Sequence, residues 1–282
     1  MDLDLIKKEY IYHSLNKIHL KNVFALLLFL FFNSSFSQEL PPINFFTPKE
    51  YKAENQNWSI SQGLDKNIYI ANNIGLLEFN GARWKLYPSP NETILRSVKA
   101  IGERIYSGSY MDFGYWKKNN FGTLAYTSLS KELNIKLIED EQFWNIIAID
   151  NWILFQSFNR IYILNSTDNS LQIIEANTTI TKMYAVDGSI YFQNQNEGIY
   201  KIDNGKSILI TNDPLIKNSI VINIFIKEDY LLLETEEKGF YKLDKGQLTA
   251  WDISSSKLLS EVFVYNSIQL SDGSFLLGTI SD

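Results

Sequence analysis

A short pattern that returns at a fixed interval constrains this chain more than any other feature. It reads Gly75-Leu76-Leu77-Glu78-Phe79-Asn80-Gly81, then Gly198-Ile199-Tyr200-Lys201-Ile202-Asp203-Asn204-Gly205, then Gly239-Phe240-Tyr241-Lys242-Leu243-Asp244-Lys245-Gly246. Gly198 and Gly239 stand 41 residues apart, and Gly75 precedes Gly198 by three such intervals. Between the two glycines of each copy lies a short strand-like run. The leading glycine suits a turn between strands that needs φ > 0. The second, close behind Asn or Asp, suits the next turn. All six glycines are therefore assigned to structure rather than to chemistry. A period of about 40 residues made of strands is the mark of a β-propeller.

The rest of the chain divides to match. Runs of alternating apolar and polar residues, bounded by Gly, Asn, Asp or Pro, read as the strands of antiparallel meanders. The first blade is predicted over 58–60, 67–71, 75–79 and 83–87, and the second over 94–101, 104–108, 113–116 and 123–127. A longer connection over 129–141, with a helical turn after Ser130, leads into 143–149, 152–156, 160–164 and 171–175. The leading glycine is missing from this third blade, and Arg160 stands near its place. The fourth blade is 180–186, 189–193, 198–202 and 207–210, and the fifth 220–227, 230–234, 239–243 and 248–251. A sixth has only 262–270 and 274–278. The expectation is an all-β propeller over 55–282, with about five complete four-stranded blades and a truncated sixth. No further glycine-led strand follows Gly278, so the sequence reads as the N-terminal part of a longer protein. An open strand edge would make that part poorly soluble alone.

The N-terminus sets the compartment. Val23 to Phe32 is an unbroken apolar run behind Lys17 and Lys21, and Ser35-Phe36-Ser37 puts small residues before a cut at Gln38. Ten apolar residues are too few to span a bilayer, which needs about 20. Residues 1–37 are therefore expected to be a secretory signal peptide helix, and the mature chain periplasmic. The basic part before the run is long, so the true initiator is placed near Leu20, with residues 1–19 unmade. Residues 38–54 form a lead-in in which 43–46 could make a strand.

This leader carries His13 and His19, the only histidines, and the chain has no cysteine. Triads of the Ser-His-Asp kind, cysteine nucleophiles and most transition-metal sites are thereby excluded from the mature chain. No catalytic residue, metal or cofactor is assigned. Loss of the leader removes four lysines and three acids, taking the net charge one unit below −6. With no basic stripe, nucleic acid is not an expected partner of this part. Most acids sit in turns, as Asp65, Asp187, Asp203, Asp244 and Asp272 do, where Asp favours the turn itself. Aromatic residues make up 14% of the chain, most densely at Tyr110-Met111-Asp112-Phe113-Gly114-Tyr115-Trp116. Aromatic side chains on strands chiefly fill the core between blades. Arg96, Tyr110, Trp144 and Arg160 lie at or beside strand ends where a central pocket could form, and these four are the candidate ligand-binding residues.

One stretch, Asn57-Trp58-Ser59-Ile60-Ser61-Gln62 followed by Ile68 through Gly81, resembles the opening blade of two-component-regulator propeller proteins, large extracytoplasmic sensors of Bacteroidetes. Pro90 through Val98 and Phe113-Gly114-Tyr115 are similar to the subgroup ending in a LuxR-type helix-turn-helix domain. The resemblance covers residues 50–282 and is most specific over 57–116. It implies a ligand-sensing module joined, in full-length relatives, to a triple-tyrosine β-sandwich domain, a membrane helix and a DNA-binding or histidine-kinase part. The partners it implies are a small ligand such as an oligosaccharide, downstream domains of the same polypeptide, and a second copy in a full-length homodimer. Two other functions fit the residues: a secreted propeller carbohydrate-active enzyme using paired carboxylates, and a protein-interaction scaffold.

Overall fold

A computed structural model of the protein describes residue 22 and residues 43–253, 256–259 and 261–280. The leader assigned to 1–37 lies, apart from residue 22, outside the described residues. The chain divides into two units, 1–45 and 46–282, and the second holds all the β-structure described below.

No strand forms over 43–46, where the sequence suggested one. The chain turns instead into a short helix, α1 (Pro48–Tyr51). Pro48 suits a first helical position, and the Thr47 amide and hydroxyl donate to the Glu50 carboxylate at 2.6 and 2.9 Å. Phe46 packs on Phe79 and Trp84, with ring centroids 5.0 and 5.3 Å away.

Five four-stranded antiparallel sheets and one two-stranded sheet follow. The first is β1 (Asn57–Gln62), β2 (Ile68–Asn72), β3 (Gly75–Phe79) and β4 (Trp84–Pro88). The second is β5 (Leu95–Ile101), β6 (Arg104–Ser109), β7 (Phe113–Lys118) and β8 (Leu124–Ser128). After α2 (Leu129–Glu132) come β9 (Asn145–Ile149), β10 (Trp152–Gln156), β11 (Arg160–Asn165) and β12 (Leu171–Glu175). The fourth sheet is β13 (Ile180–Val186), β14 (Ser189–Asn194), β15 (Gly198–Asp203) and β16 (Lys206–Thr211). Past α3 (Pro214–Lys217) lie β17 (Val221–Lys227), β18 (Tyr230–Thr235), β19 (Gly239–Asp244) and β20 (Gln247–Ala250). A last short helix, α4 (Ser256–Leu259), precedes β21 (Val264–Gln269) and β22 (Phe275–Thr279). Within every sheet the strands pair in chain order, as the predicted meanders require.

Five apolar clusters fill the spaces between consecutive sheets. This explains why the two middle strands of a sheet are so apolar: both their faces are covered. Leu154 and Tyr162 illustrate it, fully buried on β10 and β11. The outermost strands are wetter, and Ile208 and Leu209 on β16 are exposed.

The repeated glycines do two different jobs. Gly75 and Gly198 have φ of 151° and 139°, and a Cβ on either would lie 2.2 or 2.1 Å from a backbone oxygen of the outermost strand. They let that strand close in. By contrast Gly81 and Gly246 only turn the chain, at φ of 88° and 84°, with open space around them.

A second repeat, not visible as a motif, joins the sheets. One polar side chain on each of the five complete innermost strands reaches a backbone carbonyl of the next sheet's innermost strand or its lead-in. Ser59 donates to Val98 at 3.4 Å, Ser97 to Phe143 at 2.8 Å, Asn145 to Met183 at 3.2 Å, Lys182 to Ile222 at 2.9 Å and Asn223 to Ser267 at 2.9 Å. Middle strands add Gln156, donating to Ile180, and Gln193, which bonds Ile216, Ser219 and the Val221 amide. A buried amide so fully satisfied fixes two sheets in one register.

Candidate functional site

The latch residues locate a site. Immediately before four of the five stands a residue at which the innermost strand slips register against its neighbour: Trp58 before Ser59, Arg96 before Ser97, Thr181 before Lys182 and Ile222 before Asn223, with a like slip at Tyr265 in β21. Trp144 holds the equivalent place before Asn145. An extra residue in one strand bends it and re-aims the side chain there. The slip recurs near the start of the innermost strand in five of the six sheets, and β9 of the third pairs in register from Asn145 onward.

In the first three sheets those side chains meet. The Arg96 guanidinium lies over Trp58, its carbon 4.1 Å from the ring centroid, and over Trp144 at 4.5 Å. The two indoles stand edge to face, 5.9 Å apart. Trp144 stacks its ring on Phe158, with centroids 5.0 Å apart and planes 23° apart. Trp58 is oriented by its ring N–H, which donates to Asn73 Oδ1 at 2.8 Å. Arg96 Nε donates to Gln142 Oε1 at 2.9 Å. Partial burial draws the Arg96 pKa below its ordinary value with no carboxylate to oppose the shift, and a guanidinium still stays charged at any ordinary pH.

Tyr110 borders this cluster. Its backbone forms a bridge with Gln142, the residue that holds Arg96, and its carbonyl accepts from Asn91 at 2.8 Å. The hydroxyl donates to Asp140 at 2.5 Å, so that residue is tied to the 140–142 segment at both ends. Beneath it Glu141 is buried and accepts from Ser157, Tyr162 and the Ile138 amide at 2.6, 2.8 and 3.0 Å, fixing the segment.

Of the four residues singled out from sequence, Arg96 and Trp144 touch and Tyr110 adjoins them. Arg160 does not join them. It begins β11 and turns outward, pairing with Glu175 on the outermost strand at 2.7 Å and donating to the Lys136 carbonyl at 3.3 Å. Its place in the repeat explains this: it starts a third strand, whereas the converging residues start innermost ones. Trp58, Gln142 and Phe158 were not singled out. For Trp58 a signal existed, namely its position directly before a small polar residue, as in Trp58-Ser59, Arg96-Ser97 and Trp144-Asn145.

At the same end, between the fourth and fifth sheets, lies a polar cavity of about 280 Å³ lined by Thr181, Gln193, Gln195, Lys217, Glu236 and Glu237 among others. Burial and the neighbouring Glu237 charge push the Glu236 carboxyl above its ordinary range.

No protein-family model matches this chain, and no curated protein matches it. Solved structures do. Two structures of the extracellular domain of BT4673 from B. thetaiotaomicron, named in one as a one-component and in the other as a hybrid two-component system, match with a TM-score of 0.57 and 16% identity over 79% of this chain. The chain spans 31% and 30% of the length of those two structures. The WD40 β-propeller domain of Doa1 matches with a TM-score of 0.56 and 13% identity over 80% of this chain and 77% of its own. BamB from Moraxella catarrhalis gives 0.54 and 12%, over 77% and 70%. Likeness at such identities is likeness of fold. The chain is a run of β-propeller blades, distantly similar in structure to extracellular domains of Bacteroides signalling systems. No sequence-family match accompanies the resemblance read over residues 57–116.

Proposed function

We propose that this chain is the exported, ligand-sensing propeller of a membrane-spanning signal-transduction protein, and that it binds its ligand without transforming it. One observation carries the reading. Residues at the same place relative to the innermost strand in three successive sheets, Trp58, Arg96 and Trp144, come together. Partly exposed indoles present the apolar planes on which sugar rings stack, which makes an oligosaccharide the favoured ligand. Because three sheets contribute, a bound ligand would favour one packing of those sheets over another. That differential affinity is what a sensor needs to shift a population and pass the bias to the rest of its polypeptide.

The test is a glycan array with the purified chain, followed by product analysis of every glycan bound. Binding without turnover, lost on Trp144→Ala, is the expected result. Turnover abolished by Glu236→Gln or Glu237→Gln would favour the carbohydrate-active enzyme instead. Failure to bind any glycan would leave the interaction scaffold.

A further inference from the structure

We infer that the Arg96 site selects a ligand bearing a carboxylate on a sugar ring, a uronic-acid oligosaccharide rather than a neutral one. The inference rests on the sensing role proposed above and adds the charge of its ligand.

Arg96 is only partly satisfied within the protein. Its Nε is occupied by Gln142. Trp58 and Trp144, themselves edge to face, both lie against the guanidinium. Nη1 and Nη2 are left. Among the described residues these two nitrogens have no acceptor, and Arg96 makes no ion pair. Nor are they sealed from solvent, since the buried polar atoms without partners include Trp144 Nε1 but neither Arg96 terminal nitrogen.

The two other partly buried arginines of these sheets are answered, while Arg83, before β4, is exposed. Arg160 has Glu175. Arg104 lies over Tyr115 at 4.3 Å and has the Tyr106 hydroxyl at 3.4 Å. At Arg96 the protein has oriented a cation and supplied no acid for its terminal edge.

That geometry defines the missing group. Two parallel N–H donors on a planar edge match the two oxygens of a carboxylate. Two indoles against the guanidinium and Gln142 on its Nε hold it in place, so less freedom is lost when the carboxylate docks. The indoles also keep water from part of the group, which strengthens the charge interaction at its free nitrogens. Trp58 is 37% exposed and Phe158 44% exposed, so apolar ring surface remains beside that edge for the sugar itself. A neutral glycan could use the rings and would leave the guanidinium edge to water.

The experiment measures binding of trimers of galacturonate, glucuronate and mannuronate by calorimetry and tryptophan fluorescence. Each is paired with its carboxyl-reduced counterpart, and a sulfated neutral trimer is included. At least one uronate trimer should bind at least tenfold more tightly than its reduced form, with affinity falling as salt rises. Arg96→Lys should lose about tenfold, because an ammonium keeps the charge without the fork, and Arg96→Gln should lose the preference for acid altogether. Thermal melts of both variants check folding, and the salt dependence of the unmutated chain tests the charge without any variant. Equal binding of acid and reduced trimers, or unchanged selectivity in Arg96→Gln, would overturn the carboxylate while leaving a sensor of neutral glycans standing. Preference for the sulfated trimer would overturn it in favour of another anion. Binding to no trimer and no arrayed glycan would remove both readings.

Discussion

Two cations on innermost strands, Arg96 in the second sheet and Lys182 in the fourth, sit one repeat position apart and have opposite fates. Lys182 is a latch. Its Nζ donates to the Ile222 carbonyl at 2.9 Å and reaches Asn266 Oδ1 at 3.4 Å, two sheets away. Its pKa is drawn down by burial and partly restored by Glu234. Everything it can bind, the protein provides. Arg96 stands at the preceding bulge, where a side chain is re-aimed off the ladder, and its terminal nitrogens are given nothing. The step of one residue separates a group spent on holding sheets together from a group left available.

The comparison breaks most visibly at Gln193. Its amide donates to Ile216 and Ser219 at 3.0 and 2.7 Å and accepts from Val221 at 2.9 Å, all in the next sheet or the turn leading to it. Gln193→Ala strands these backbone groups, and leaving buried polar groups unpaired costs about 1–3 kcal/mol each. A loss of about 3 kcal/mol is expected, measurable by urea unfolding. A loss under about 1 kcal/mol would mean that the polar ties between these sheets are dispensable.

Lys182→Met should cost less, about 2 kcal/mol, the scale of a hydrogen bond to a charged group. The thioether fills the volume and leaves the Ile222 carbonyl and Glu234 without the ammonium. Unchanged stability would make Lys182 as available as Arg96 and dissolve the contrast.

Glu234 gives a smaller effect of the opposite sign. It occupies the register place of Gln156 and Gln193, facing Asn223 as they face Asn145 and Lys182. Ser267 donates to its Oε2, while its buried Oε1 has no partner. Burial pushes its pKa above the ordinary 4.5, with Ser267 and Lys182 pulling the other way. As pH rises past 4.5 the unfolded chain gives up this proton while the folded chain still holds it, so stability falls until the folded pKa is passed. Glu234→Gln removes that fall. The variant should gain on the unmutated chain as pH is raised from 4 to 7, read as the difference between their melting temperatures. A constant difference would show that Glu234 titrates alike in both states.

Much of this was legible in the residues. The glycine period and the alternation of apolar residues locate all 22 strands, because turns and pleats are set by neighbours in sequence. Gly114 marks where that legibility ends. A Cβ there would lie 2.1 Å from the Thr127 oxygen, the same tight approach as at Gly198. Yet it sits inside its strand rather than at the head, so the pattern passes over it. The site was legible by half. Arg96 and Trp144 could be chosen as polar or aromatic groups near strand ends, but Arg160 met the same description and faces the other way. What separates them is whether the strand is innermost, and that depends on pairing between residues some ten or more positions apart. The latches join residues about 40 apart, at a spacing the repeat itself supplies, and were hidden because Ser, Asn and Lys all serve.

If the role of Arg96 is to bind rather than to hold, removing it should barely affect folding. Arg96→Gln gives up two cation–π contacts, worth about 0.5–1 kcal/mol each at exposed sites, and keeps a side chain able to meet Gln142. The unfolding free energy should fall by about 1 kcal/mol or less, below the cost at Lys182 and well below that at Gln193. Trp58 and Trp144 should report the change through their fluorescence even where stability hardly moves, since the guanidinium lies against both rings in the folded chain. A loss as large as that at Gln193 would show the cluster to be a structural clamp joining three sheets. Arg96 would then be a latch like Lys182, answered by aromatic faces in place of carbonyls.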